Sequence, residues 1–347
     1  MKNIILLLCL LSGHATIAQI QWQEVSTPTT KDLNAIQFVS NDVGFVCGDS
    51  VLLKTMDGGI TWNHMSLDSF PNNINQSVDF LDMHWFDEFY GFVIAGPWGG
   101  FYQTIDGGLD WEPVTTANSG FCQSSSLFFF DEDNGFAGGA GCFEGHIIDR
   151  FSNGTWSTTT DPQDWDTGNW ITSIEFRDAN LGFAGTKRGT LLRTTDGGLN
   201  WDTIPSIAGD STITDFVFYG TDTVRATHRN NNEWGAMLSV DGGATWTWDS
   251  ETATFFYPSM NAAHINGNGH TFLGGISSGE EGIIFDNSGG FWNWGSVDKD
   301  VNDIASHTDS ITFLAADSGV IYVNVVPSTI GIREYNELNF QLAPNPT

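Results

Sequence analysis

Short apolar runs broken by polar turns recur along the whole chain, and no stretch repeats Lys, Glu, Ala and Leu at the helical spacing a bundle needs. One pattern returns several times. Ile36 and Phe38 lead through Asn41-Asp42 to Gly44-Phe45-Val46-Cys47-Gly48, and Met83 and Trp85 lead to Gly91-Phe92-Val93. Residues 127–130 lead to Gly135-Phe136-Ala137-Gly138, and Ile174 and Phe176 lead to Gly182-Phe183-Ala184-Gly185. A second pattern, Ser/Thr-x-Asp-Gly-Gly-x-x-Trp, occupies residues 55–62, 104–111, 194–201 and 239–246. A weaker copy at 285–292 carries Asn287 in place of Asp, and a degenerate copy ends at Trp156.

The residue types explain the second pattern. Asp-Gly-Gly between apolar strands marks a hairpin, because glycine accepts positive φ without steric cost. The carboxylate can take nearby backbone N–H groups and lock the turn. The Trp offers a large apolar face. Together the patterns give an inner strand, a second strand, a third entering the Asp turn and a fourth carrying Trp, which is one propeller blade. Trp22, Trp62, Trp111, Trp156, Trp201, Trp246 and Trp292 follow one another at 40 to 49 residues. The expected fold is therefore all-β: a single seven-bladed β-propeller of four-stranded antiparallel blades. The last unit, 301–323, lacks a Trp strand, and the segment 20–25 around Trp22 supplies it, closing the ring.

Charge narrows the partners. The 347 residues include 12 basic and 42 acidic ones, a net charge of −30. Such a surface repels phosphate backbones and anionic lipid and favours solubility. The acidic run 131–135 resembles a cation loop, but it fills the slot of the turn 41–44 and reads as a turn. No paired Cys or His spacing points to zinc. No metal and no cofactor is expected.

The start of the chain reads as an export signal over 1–18. Lys2 precedes the short apolar run 4–11, and Thr16 with Ala18 makes a cleavage site before Gln19. Leu8 ahead of Cys9 does not suit a lipid anchor, and no other apolar stretch approaches transmembrane length. The propeller is expected over 19–326, with a linker and tail over 327–347. In an oxidising compartment Cys122 and Cys142, which flank one repeat, are the expected disulfide, and Cys47 a buried thiol.

At the Asp-Gly-Gly repeats the chain resembles the Asp-box (BNR-like) propellers, over roughly residues 20–325. That superfamily includes sialidases, xyloglucan-hydrolysing glycosidases, sortilin-type receptors and photosystem II stability-factor-like proteins, and the Gly-Phe-x-x-Gly pattern is most similar to the last. The resemblance implies structural roles for Asp57, Trp62, Asp106, Trp111, Asp196, Trp201, Asp241 and Trp246. The tail 338–347, with Pro344-Asn345-Pro346-Thr347, resembles the opening of a type IX secretion C-terminal sorting domain of Bacteroidetes-type bacteria, cut short. It implies passage through that export machinery to a secreted or cell-surface location.

Fold alone does not give function. The chain has no Arg-Ile-Pro motif for a sialidase, and one propeller cannot form the cleft of the two-propeller glycosidases. No Ser-His-Asp order or metal-binding His motif stands out, so no catalytic residue is assigned. The ligand face of a propeller comes from loops between second and third strands and from inter-blade connections. The first set there is Trp98, Glu144, His146, Lys187, Arg188, Arg229, Trp234, Glu280 and Glu281. A second set is Trp165, Trp170, Phe255, Phe256 and Tyr257. Aromatics with scattered charges suit sugar or peptide capture. The expectation is an exported, monomeric, non-catalytic binding or scaffold propeller with a glycan or protein ligand. The alternative is a polysaccharide-acting glycosidase or lyase using Glu144, Glu280 or Glu281.

Overall fold

Each Asp-Gly-Gly turn is closed by its own side chains. In the computed structural model of the chain, Asp57 Oδ1 accepts the Thr61 N–H at 2.8 Å and the Thr55 hydroxyl at 2.8 Å, while Oδ2 accepts the Thr61 hydroxyl at 2.6 Å. Thr55 Oγ1 accepts the Gly59 N–H at 2.9 Å. The two Oδ1 bonds recur around Asp106, Asp196 and Asp241. Hydrogen bonds from Thr245 and Ser239 hold the Asp241 carboxyl down to about 2.

The structure describes residues 21–71, 78–96, 100–115, 121–141, 145–159, 168–229, 235–250, 252, 259–277, 281–287, 292–309 and 311–325, with the side chains of 121–124 and 325 left aside. Strand β1 (Gln21–Val25) precedes the first complete blade, which holds β2 (Leu33–Phe38), β3 (Gly44–Gly48), β4 (Val51–Thr55) and β5 (Asn63–His64). Blade two holds β6 (Asp79–Trp85), β7 (Gly91–Gly96), β8 (Gly100–Thr104) and β9 (Glu112–Pro113). Blade three holds β10 (Phe121–Asp131), β11 (Asn134–Gly141), β12 (His146–Ser152) and β13 (Thr155–Thr158). Blade four holds β14 (Ile171–Phe176), β15 (Gly182–Thr186), β16 (Leu191–Thr194) and β17 (Asp202–Ile204). Blade five holds β18 (Thr212–Tyr219), β19 (Thr223–Arg229), β20 (Ala236–Ser239) and β21 (Thr247–Trp248). Blade six holds β22 (Ser259–Ile265), β23 (Thr271–Ile276), β24 (Gly282–Asp286) and β25 (Asn293–Val297). Blade seven holds β26 (Val301–Thr308), β27 (Ile311–Ala316) and β28 (Ile321–Val325), and β1 is its fourth strand.

The seven four-stranded antiparallel sheets are a seven-bladed propeller. β1 pairs with β28 in the register Trp22 to Asn324 and Val25 to Ile321, so the two ends of the ring meet in one sheet. Val25 is buried at this seam. Trp22 is half-buried, with its ring edge-on to Phe272 at 6.4 Å.

The Gly-Phe pattern is a packing device between blades. A Cβ on Gly182 would stand 2.5 Å from the Phe176 ring of its own inner strand. The next residue, Phe183, lies beneath Gly243 of the following blade, where a Cβ would stand 2.2 Å from the ring and φ is +80°. Phe183 also meets Trp246 edge-on at 6.0 Å. Glycine therefore stands at both places because an aromatic ring takes the room of a side chain. Trp62, Trp111, Trp201 and Trp246 differ from expectation in one respect: each lies just ahead of the outer strand rather than in it, packed against the preceding blade. Asn287, read as a turn residue, instead accepts the Thr271 N–H at 2.6 Å across to the second strand of its blade.

Cys47 is a free, buried thiol. Burial pushes it well above its ordinary range, with Asp82 and Asp303 adding to the shift. The side chain of Cys122 and the whole of Cys142 lie outside the described residues, as does the expected disulfide. The expected leader 1–18 and the tail 327–347 lie outside them too.

Candidate functional site

Each four-stranded blade has two unpaired edges, an outer one at the rim and an inner one that faces the channel. The N–H and C=O groups of the inner edge need partners. All seven inner strands carry a β-bulge near their start, at Asn34, Leu81, Ser125, Thr172, Thr214, Asn261 and Asn302. The bulge turns that residue toward the next blade, where it donates to a backbone carbonyl. Asn34 Nδ2 reaches Phe80 O at 2.9 Å, Thr214 Oγ1 reaches Met260 O at 2.7 Å, Asn261 Nδ2 reaches Val301 O at 2.8 Å and Asn302 Nδ2 reaches Leu33 O at 3.0 Å. Ser125 and Thr172 do the same to Ile171 O and Ile213 O. Leu81, being apolar, has nothing to donate.

The residue after the bulge serves the N–H groups. Asp82 takes its neighbour Met83 N–H at 2.8 Å on one oxygen and Leu127 N–H of the next blade at 2.7 Å on the other. Asp215 takes Phe216 and Ala263 at 2.7 Å each, and Asp303 takes Ile304 at 2.8 Å and Ile36 at 2.7 Å. Ser126 Oγ takes Ile174 N–H at 3.0 Å. Three aspartates and one serine thus satisfy the equivalent N–H of all seven blades. Sequence reading missed this set. Its signal is a tripeptide, polar residue then Asp, Ser or Ala then apolar residue, as in Thr214-Asp215-Phe216 and Asn302-Asp303-Ile304.

These groups line a central cavity of about 340 Å³ with Gln37, His84 and Glu175. Burial raises Asp82 and Asp303 to about 7 and Asp215 to about 8. Glu175 rises well above its usual range, by burial first and then by repulsion from Asp215, Asp82 and Asp303. Burial lowers His84 to about 4, so it is neutral and brings no positive charge.

The mouth where the inner strands begin is built differently. Lys187 and Arg188 sit exposed in the turn between β15 and β16. Lys187 N–H donates to Trp170 O at 3.0 Å, Arg188 N–H donates to Asn169 Oδ1 at 2.9 Å, and Lys187 Nζ stands 3.8 Å from the centre of the Trp170 ring. Lys187 O accepts the Thr212 hydroxyl at 3.0 Å, and Thr212 pairs with Arg229 in the β18–β19 register. Arg229 then donates Nε and Nη2 to Asn261 Oδ1 at 2.9 and 2.8 Å. A strip of cations therefore runs over blades four and five on a fixed backbone, anchored to Asn261 of blade six. Beyond it, on blades seven, one and two, carboxylates cluster: Asp300 lies within reach of Arg229 and Asp317, and Asp49 within reach of Asp79, Asp32 and Asp317. Burial raises Asp300 to about 6, with Asp317 adding to the shift and Arg229 opposing it.

Of the sequence candidates, the structure brings together Lys187, Arg188, Arg229 and Trp170. Glu281 is exposed on blade six. His146 is buried at the start of β12 in blade three. Trp98, Glu144, Trp165, Trp234, Phe255, Phe256, Tyr257 and Glu280 lie outside the described residues. Among the described residues no group of His, Cys, Asp and Glu is arranged to hold a metal ion, and no helix is long and apolar enough to cross a membrane.

No curated protein matches the chain significantly in sequence. The family model described as photosynthesis system II assembly factor YCF48 matches residues 14–80, a small part of the chain. Among solved structures, YCF48 bound to a D1 peptide is similar with TM-score 0.67 and 14% identity, covering 88% of this chain and 97% of that one. YCF48 from Cyanidioschyzon merolae is similar with TM-score 0.65 and 17% identity, covering 87% and 98%. The GH74 enzyme of Niastella koreensis gives TM-score 0.63 and 16% identity, covering 87% of this chain but 53% of the enzyme. At these identities the likeness is one of fold: the chain is a seven-bladed propeller built like YCF48 and like part of a GH74 enzyme.

Proposed function

We propose that this chain is a non-catalytic binding propeller that takes a peptide segment of a protein partner across the strand-start mouth. The observation that carries the reading is the strip Lys187, Arg188 and Arg229, each held by hydrogen bonds to a neighbouring blade or connection. Pre-organised cations with a cluster of carboxylates beyond them suit a segment with charges of both signs better than a neutral sugar. A YCF48 propeller of the same fold is bound to a D1 peptide, which supports a peptide as the ligand class. The channel carboxylates do not suit glycosidase chemistry, because three of the four already hold backbone N–H groups on both oxygens. We further propose export, with 1–18 as the leader and the tail from residue 327 read by the secretion machinery.

The test is charge reversal. The variant K187E/R188E/R229E and a control, Asp42→Lys on an exposed turn, are compared for retention of an acidic peptide library. The control should match the parent, and the reversed strip should lose most of the retained peptides. Equal retention by all three proteins would remove the mouth from the account.

A further inference from the structure

Glu175 is the channel carboxyl that no blade uses. It lines the central cavity, one turn of the pleat beyond the bulge of β14, and it makes no hydrogen bond or ion pair with the described residues. Asp82, Asp215 and Asp303 are explained by the inner-edge N–H groups they accept; Glu175 is not. Its position in the strand is that of Gln37 in blade one, and Gln37 exchanges two hydrogen bonds with Trp85, donating to its carbonyl at 3.0 Å and accepting its N–H at 2.8 Å. A neutral amide there would complete a backbone clasp. Charge therefore matters at Glu175: beside three other carboxyls its ionised form is costly, so it holds its proton until a cation stands next to it.

The shape of the cavity selects the class of cation. A metal ion draws carboxylate oxygens to roughly 2.0–2.6 Å, and the described residues contain no group of acidic, His or Cys side chains placed for that. A space of about 340 Å³ instead admits a side-chain-sized guest. Guanidinium presents five N–H donors in a planar fork, which can meet the two free oxygens of Glu175 and still reach the unused lone pairs of the surrounding aspartates.

We propose that the channel is a binding site for one organic cation of the alkylguanidinium class, with Glu175 as its direct partner and Asp82, Asp215 and Asp303 as the surrounding field. This goes beyond the peptide reading of the mouth and does not depend on it. The groups that face Glu175 are those three aspartates and His84, which is neutral, so nothing in the described channel competes for the carboxylate. Entry of a fixed positive charge favours ionised carboxyls, so protons leave as it binds.

The experiment is calorimetry on the full chain with N-acetyl-arginine amide, its neutral isostere N-acetyl-citrulline amide, and calcium chloride. Run at neutral pH in two buffers of different ionisation enthalpy, it also counts protons released. The expected result is saturable one-to-one binding of the arginine probe with proton release and none of the citrulline probe. Glu175→Gln, which keeps the side chain's shape and should fold, is expected to weaken the arginine probe at least about tenfold. Glu175→Ala should do the same, with melting curves confirming that both variants are folded. Citrulline binding equal to arginine, or unchanged affinity in both variants, would overturn the proposal. Tight one-to-one calcium binding that displaces the arginine probe would overturn the choice of cation. Loss of peptide retention at the mouth with this site intact, or the reverse, separates the two readings.

Discussion

Asp303 on the last blade accepts the backbone N–H of Ile36 on the first at 2.7 Å, across the seam where the chain closes on itself. Its other oxygen accepts Ile304 N–H at 2.8 Å. One carboxylate therefore serves the open inner edges of two blades. Asp303→Ala leaves both N–H groups without a partner in a confined channel. An orphaned buried donor costs about 1–3 kcal/mol, so the variant should lose roughly 2–4 kcal/mol in chemical denaturation. Asp303→Asn keeps one acceptor and should lose less. Equal stability of Asp303→Ala and the parent would mean that water serves the inner edge as well.

The pH dependence of stability follows from two sets of aspartates with opposite shifts. Asp82, Asp215 and Asp303 have folded-state values of about 7, 8 and 7, above the unfolded value near 3.8. Between pH 4 and 8 the folded chain therefore holds more protons than the unfolded one, and stability falls as pH rises through that window. Asp57, Asp106, Asp196 and Asp241 are shifted down, so their contribution is present above pH 4 and disappears as pH falls toward 2. Melting temperature should peak near pH 5 and drop by roughly 5 °C or more by pH 8. A curve that rises from pH 5 to 8 would contradict the enclosed state of the channel carboxyls.

Much of this fold was legible in the sequence because the repeats are mechanical. The Gly-Gly turns need positive φ, Trp62 and Trp111 fill the space between blades, and the spacing of such residues counts the blades. Closure by β1 was readable from the missing outer strand of the last unit. The channel was not readable in the same way. Its polar ring depends on bulges, and the tripeptide that marks them is short and variable: Leu81 and Asn261 occupy the same place. The burial of His146 was not readable either, because a polar residue after a loop reads as exposed. Lys187, Arg188 and Arg229 were legible as loop cations, but their alignment through Thr212 required the inter-blade geometry.

Ring closure gives a third prediction. Deleting residues 19–25 removes β1, leaves the edge of β28 unpaired and uncovers Ile321 and Val323, which Val25 helps to cover. It should lower the melting temperature sharply and promote aggregation through the unpaired edge. Because Trp22 is half-buried, Trp22→Ala alone should cost less than the roughly 3–5 kcal/mol of a fully buried Trp. Deleting residues 333–347 should change neither property. Matching melting temperatures for the β1 deletion and the parent would show that the ring closes some other way.

The thiols give a fourth. Cys47 is buried and its thiol is pushed up, so it should not react with a thiol reagent in the native protein. Unfolding without reductant should release one reactive thiol from the chain beginning at Gln19, with Cys122 and Cys142 bridged. Three reactive thiols under those conditions would rule out the bridge.

The account as a whole turns on what the mouth binds. The most direct measurement presents peptides and glycans side by side on one array to the purified chain beginning at Gln19, with polysaccharide turnover followed in parallel. The account predicts saturable capture of peptides that carry acidic residues, lost in K187E/R188E/R229E, with no sugar released. Capture of glycans alone, or release of sugar that survives reversal of the strip, would contradict it.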